Sequence, residues 1–261
     1  MEQKTKVIAV VNQKGGVGKT TTSVNLSAAI GLEGKKTLLI DLDPQGNCTS
    51  GMGISKKDVV GSTYDVLINN KEIEEVKIKT KFKNVDFVPS NVQLAGAEIE
   101  LIDVKNRTFA LKNALDKEKQ NYYITLIDCP PSLGILTLNA LAACDGVLIP
   151  LQCEYYALEG LSQLISTMRN VKKLYNENLE IAGLLLTMYD GRLKLTMQVV
   201  NEIKKYFADK IYKTIIPKNV KLSEAPSFGE PISYYDNNSK GSLAYKSLAK
   251  EIIEKNKKEE V

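Results

Sequence analysis

The sequence contains no histidine. No imidazole is available as a general base, so a catalytic triad built on histidine is excluded. A zinc centre would have to rest on the four cysteines, Cys48, Cys129, Cys144 and Cys153, and no two of them form a C-x-x-C pair. That spacing argues against structural zinc and reads instead as free buried thiols in a reducing cytoplasm. Arginine is scarce: Arg107, Arg169 and Arg192 are the only three. A mechanism that needs an arginine finger therefore has few candidates. No stretch approaches the roughly 18 uninterrupted apolar residues of a membrane helix. The first residues, MEQKTKVIAVVNQK, hold a short apolar run without a long hydrophobic region or an A-x-A-like site, and read as no signal peptide. No internal repeat or long linker is visible.

The 261 residues, 43% of them hydrophobic, suffice for a large core. Apolar, β-branched runs at 7–11, 37–41, 85–88, 123–128, 147–151 and 181–187 predict strands, the first buried on both faces. A short strand is also expected at 213–216. Helical patterns fall at 20–32, 93–119 with a break near Asp103, 135–143, 155–175, 196–207 and 243–255. The alternation predicts an α/β fold, a doubly wound, mostly parallel sheet in a single domain over residues 1–255. A charged tail at 256–261 is expected to fray. In such sheets ligands bind beyond the carboxyl ends of the strands.

Charge is uneven. The chain carries a net +4, but residues 192–250 hold 11 Lys/Arg against 5 Asp/Glu, while the first 191 hold 21 against 22. A basic C-terminal third suits a polyanion, either nucleic acid or an acidic membrane surface. On charge alone, a solvated lysine-rich face explains it equally well.

The densest chemistry lies in NQKGGVGKTTT, residues 12–22. Gly18-Lys19-Thr20 closes a phosphate-binding loop between a predicted strand and a predicted helix. Gly15, Gly16 and Gly18 allow main-chain N–H groups to approach phosphate oxygens, and the helix adds its positive N-terminal end. Lys19 supplies a charge for the β- and γ-phosphates, and the Thr20 hydroxyl can ligate Mg²⁺. Two features depart from the usual loop. Gln13 stands where the first glycine belongs, and Lys14 adds a second lysine. That lysine is either an idle surface charge or a cation that acts in trans on a partner's nucleotide. Carboxylates complete the set. Asp128 ends YYITLID as a Walker B aspartate does, to hold Mg²⁺ directly or through water. Asp41 and Asp43 end the second strand in LLIDLDPQGN. Asp43 is expected to orient the attacking water, or else to cap the turn at Pro44. Asp41 is expected in the outer water shell of the metal.

Together KGGVGKTT, DLDPQGN and LIDCPPSLG resemble the deviant Walker A ATPases, and LSEAPS makes the chain similar to the ParA/Soj chromosome-partitioning ATPases. The resemblance runs through IPKNVKLSEAPSFGEPI to the last helix. It implies a P-loop NTPase that binds ATP and Mg²⁺, forms a homodimer on ATP binding and has weak basal ATPase activity. Lys14 would reach across an ATP sandwich to the other subunit's phosphates, and the missing first glycine belongs to the same pattern. The nucleotide loop would comprise Lys14, Gly15, Gly16, Val17, Gly18, Lys19, Thr20 and Thr21, with Thr20 the Mg²⁺ ligand. Lys14, Lys19 and Asp43 would serve hydrolysis, and Asp128 would take the Walker B place. Pro217 and Asn219 would line the adenine end. Arg192, Lys194, Lys218, Lys221 and Lys240 would contact double-stranded DNA without sequence preference, because such contacts go to phosphates. The resemblance further implies stimulation by a ParB-type centromere-binding protein, a link to a replication initiator, and a cytoplasmic, nucleoid-associated location. Whether chromosome or plasmid is partitioned is left open.

Two relatives of this class make alternatives. A MinD-type membrane-surface ATPase ends in an amphipathic helix that enters anionic lipid. EIIEKNKKEEV offers no aromatic or leucine face. An iron–sulfur reductase of the nitrogenase-iron-protein type needs cysteines around a bridging cluster. Neither Cys129 nor Cys144 sits in the expected motif.

Overall fold

The computed structural model describes residues 5–154 and 157–259. In chain order the first elements are β1 (Lys6–Val10), α1 (Lys19–Leu32), β2 (Thr37–Asp41), α2 (Asn47–Gly51), α3 (Thr63–Leu67) and α4 (Ile73–Val76). Then come β3 (Ile78–Lys79), β4 (Val85–Val88), α5 (Leu94–Glu100), α6 (Ala110–Glu118), β5 (Ile124–Asp128), α7 (Ile135–Ala143) and β6 (Gly146–Gln152). The last third holds α8 (Ala157–Leu174), β7 (Glu180–Thr187), α9 (Lys194–Phe207), α10 (Val220–Glu224), α11 (Ile232–Tyr235) and α12 (Lys240–Glu259).

The strands form one seven-stranded sheet in the order β3-β4-β2-β5-β1-β6-β7. All pairings are parallel except that of β3 with β4. The expected α/β, doubly wound, mostly parallel sheet is what the chain adopts. Successive residues of β1 feed two cores. Val7 and Ala9 pack with Leu136, Leu161 and Leu164 on one face, whereas Ile8 and Val10 pack with Leu26, Ile30 and Leu248 on the other. Burial on both faces is why these strands read as continuous apolar runs. Helix α1 lies between the sheet and α12, and the buried Tyr245 hydroxyl meets Thr22 Oγ1 at 3.2 Å.

Several expected boundaries shift. The helix expected over 93–119 is two helices, α5 and α6, separated by irregular turns in which Asn106 adopts φ 61°. Two short 3₁₀ turns, 101–103 and 107–109, fill the gap, with Asn106 opening the second, so one break near Asp103 becomes a nine-residue interruption. The expected start of the next long helix at 155 lies outside the described residues, which pick up α8 at Ala157. The last helix runs on to Glu259, past the expected end at 255, and residues 260–261 lie outside the described residues.

No strand forms at 213–216, contrary to expectation. The segment is flanked by isolated bridges, Leu184 with Ile211 and Tyr189 with Pro217, and within it Ile216 N donates to the Leu186 carbonyl at 2.9 Å. Glu251 on α12 explains this. Its carboxylate accepts the main-chain N–H groups of Lys213 and Thr214 at 2.7 and 2.9 Å. Thr214 N, which alternates with the Tyr212 and Ile216 donors that do reach β7 carbonyls, is therefore lost to a ladder with β7.

Candidate nucleotide-binding site

Parallel order brings the carboxyl ends of β1, β2 and β5 side by side, with Asp41 directly opposite Asp128 in register. The loop 11–18 leaves β1 there and enters α1 through Gly18, whose φ of 90° puts it in the left-handed region at the helix N-cap. Only glycine takes that conformation without strain. The loop is tied to β7 by the Thr187 hydroxyl, which donates to the Val17 carbonyl at 2.8 Å. At Gly15 a Cβ would meet no protein atom within 4 Å. The chain itself does not demand glycine there; a close-lying ligand would.

Below the loop, Thr20 Oγ1 donates to Asp128 Oδ2 at 2.8 Å, and Ser23 Oγ donates to Asp128 Oδ1 at 2.8 Å. Ser23 was not singled out in the sequence, although it lies one turn from Thr20 on the same helix face. Lys19 is almost buried, and its Nζ donates to the Lys14 carbonyl at 3.1 Å. Burial lowers its pKa, and Asp128 opposes that shift. A desolvated cation whose one hydrogen bond among the described residues goes to a loop carbonyl is poised for an anion.

The two aspartates of β2 part company. Both oxygens of Asp41 are committed to the following turn: one accepts from Asp43 N at 3.1 Å, the other from Thr49 N and Oγ1 at 2.9 and 2.7 Å. Asp41 thus fastens the turn after β2, with three of its roughly four acceptor positions filled by protein donors. Asp43 Oδ1 accepts from Gln45 N at 2.9 Å, so Asp43 does cap the turn. Its other oxygen has no protein partner among the described residues. Asp43 lines a cleft of about 550 Å³, together with Gly15, Lys19 and Thr20.

The far end of that cleft is lined by Met188, Ala225, Pro226 and Glu230. Neither Pro217 nor Asn219 is part of this lining. Pro217 is bridged to Tyr189, next to Met188, and Asn219 caps α10 with its Oδ1 buried and unpartnered. Lys14 is also outside the lining; its Nζ is ion-paired with Glu154. The expected basic residues are exposed and fall on neighbouring elements. The Tyr189–Pro217 bridge brings the loop of Arg192 and Lys194 beside Lys218. Lys240 precedes Gly241, where a Cβ would lie 2.7 Å from Leu222 Cγ, so it neighbours Lys221. Arg192 is tied through two nitrogens to Asp190, which holds that carboxyl well below its usual range, so its charge is largely answered within the chain. All four cysteines are buried, and burial pushes each thiol up, so none is poised as a thiolate ligand.

The buried carboxyls give a testable pH dependence. Burial pushes Asp41 up to about 7 and, with the charge of Asp41 adding, Asp128 up to about 8. The folded state then keeps protons that the unfolded chain, with carboxyls near 4, has released. Stability of the metal-free, nucleotide-free chain should fall as pH rises through this window. The urea midpoint at pH 8.5 is expected to lie below that at pH 6. A midpoint that stayed level or rose would mean both carboxylates are ionised throughout.

A buried cation beneath a glycine loop, with a hydroxyl and carboxylate of hard oxygen character alongside, suits a polyphosphate and a small divalent cation. On a doubly wound sheet this is the layout of the phosphate-loop nucleoside triphosphatases. A family model described as an AAA domain matches residues 5–181. The chain is 58% identical to the sporulation initiation inhibitor protein Soj of Bacillus subtilis, over 95% of this chain and 98% of that one. It is 50% identical to the chromosome partitioning protein ParA of Myxococcus xanthus, over 96% and 88%. The chain belongs to the Soj/ParA family of chromosome-partitioning ATPases. Among solved structures it is similar to cobyrinic acid a,c-diamide synthase from Mycobacterium smegmatis with bound ADP and magnesium, with a TM-score of 0.81, 36% identity and coverage of 95% and 93%. The septum site-determining protein MinD complexed with Mg-ADP from Pyrococcus horikoshii gives 0.78 and 27%, over 95% and 96%.

Proposed function

We propose that this chain is a single-domain ATPase that binds ATP with Mg²⁺, dimerises across the nucleotide, and coats DNA without sequence preference in a partitioning cycle. A ParB-type protein would stimulate its turnover on the nucleoid. The observation that carries this reading is the Thr20–Asp128 hydrogen bond beneath the loop, with Lys19 beside it and the cleft opening above. Bound Mg²⁺ would neutralise charge on the β- and γ-phosphates. Lys19 exchanges the Lys14 carbonyl for phosphate oxygens when nucleotide arrives. The Thr20 hydroxyl and Asp128, the latter fixed by Ser23, are the groups that would hold the metal. Asp43 presents its unpartnered oxygen to the attacking water. Lys14 acts on the partner subunit's nucleotide. The residues near Met188 and Pro226 accept the base, with Pro217 and Asn219 supporting that wall.

The basic face is assigned to DNA phosphates. Lys218 and Lys221 are the residues of choice for a test because both are exposed and lie outside the cleft lining. Lys218→Glu with Lys221→Glu should weaken binding to random-sequence DNA at least about tenfold and flatten its salt dependence, since each phosphate contact contributes to the slope. ATP affinity should not change. The assay is run with ATP·Mg²⁺, with ADP, and in parallel on anionic liposomes. ATP-dependent lipid binding without DNA binding would replace this reading with a MinD-type membrane cycle.

A further inference from the structure

Lys14 is held at three points, all within its own chain. Its main-chain N–H donates to Asn12 Oδ1 at 2.9 Å, and the buried Asn12 amide donates onward to the Pro150 carbonyl at 2.7 Å. Its carbonyl accepts from Lys19 Nζ. Its ammonium is ion-paired with Glu154, whose main chain is itself anchored to Gln152 and Ala157 at the turn after β6. The lysine thus faces the β6–α8 turn of its own chain instead of the cleft.

We propose that Glu154 is a positioning residue that parks Lys14 in the single subunit and sets how readily the lysine is released to a second copy of the chain. The inference rests on the reading of Lys14 as a cation that acts in trans. The side chains are 39% and 46% exposed, so the pair is partly solvated. A pair of that kind commands only about two- to fivefold in an equilibrium. A charge-assisted contact with a triphosphate in a closed interface is stronger, about tenfold or more. The parked state therefore yields when nucleotide-loaded subunits meet, yet lowers the tendency of subunits to pair. Nucleotide loading also acts on the same residue, because Lys19 leaves the Lys14 carbonyl for phosphate and slackens a second tether.

The test is the dimer dissociation constant of the full chain, measured by sedimentation with Mg²⁺ and a non-hydrolysable ATP analogue. Glu154→Gln should tighten the dimer about two- to fivefold, and Glu154→Asp should restore the native value. In a Lys14→Ala background the Glu154→Gln gain should vanish, which a general structural effect would not do. A dimer unchanged or weakened by Glu154→Gln overturns the proposal. If that happens while Lys14→Ala still weakens the dimer, only the parking role falls. If Lys14→Ala leaves the dimer intact, the trans reading of Lys14 falls and takes this proposal with it.

Discussion

Lys19→Ala should abolish ATP binding at concentrations where the native chain is saturated. Lys19 is the one cation among the described residues that line the cleft, and it is desolvated before any ligand arrives. Its hydrogen bonds to phosphate replace a single bond to the Lys14 carbonyl, so little binding energy is spent on freeing it. Hydrogen bonds to charged groups contribute about 1.5–3 kcal/mol each. Losing two of them corresponds to a loss of about a hundredfold or more in affinity. The substitution also strips Asp128 and Asp43 of a neighbouring positive charge. What remains is a site of carboxylates facing an anionic ligand. Calorimetry with ATP·Mg²⁺ is the measurement. An affinity within threefold of native would show that the loop does not hold phosphate.

Asp43→Ala should separate binding from turnover. Its main-chain carbonyl accepts from Gly46 N at 2.8 Å and from Ser90 Oγ at 2.8 Å, and neither bond needs the side chain. The turn after β2 therefore keeps its path, less the bond to Gln45. Water activation is lost, and general-base contributions are typically about 10²–10⁴-fold. The variant should bind ATP normally, accumulate as a nucleotide-loaded dimer and hydrolyse at least about a hundredfold more slowly. Single-turnover hydrolysis read beside sedimentation distinguishes the outcomes. Native turnover would leave Asp43 as a turn cap alone, the other reading its place before Pro44 allows.

The parts of the site that were legible in the sequence are those built from neighbours in the chain. A buried strand, a glycine loop and a helix start lie within residues 6–32, so their contiguity is itself the signal. Asp128 was found because an apolar run ends in a charge. The missed residues are those that topology brings in. Thr187 reaches Val17 across 170 positions, and Glu154 reaches Lys14 across 140. Periodicity states which face of a strand is buried, not which residue waits opposite. Asp41 shows the converse limit: its position at a strand end is legible, while the commitment of its Oδ2 to Thr49 follows from a five-residue helix with no sequence signature of its own. The strand expected at 213–216 was lost to Glu251 for the same reason, since a side chain elsewhere outbid the ladder.

The bracing of α1 by α12 bears on how the chain is made. The two faces of the sheet become available at different times during synthesis. Helices α5 to α8 can cover one face once β6 and the segment after it have left the ribosome. The other face waits, because Tyr245, Leu248 and Ile252 of the last helix close over α1. Helix α1 carries the phosphate loop, and it is made well before α12. A nascent chain therefore holds its nucleotide loop on an open, apolar helix until α12 has been made. During that interval the uncovered apolar surface is open to association with other chains.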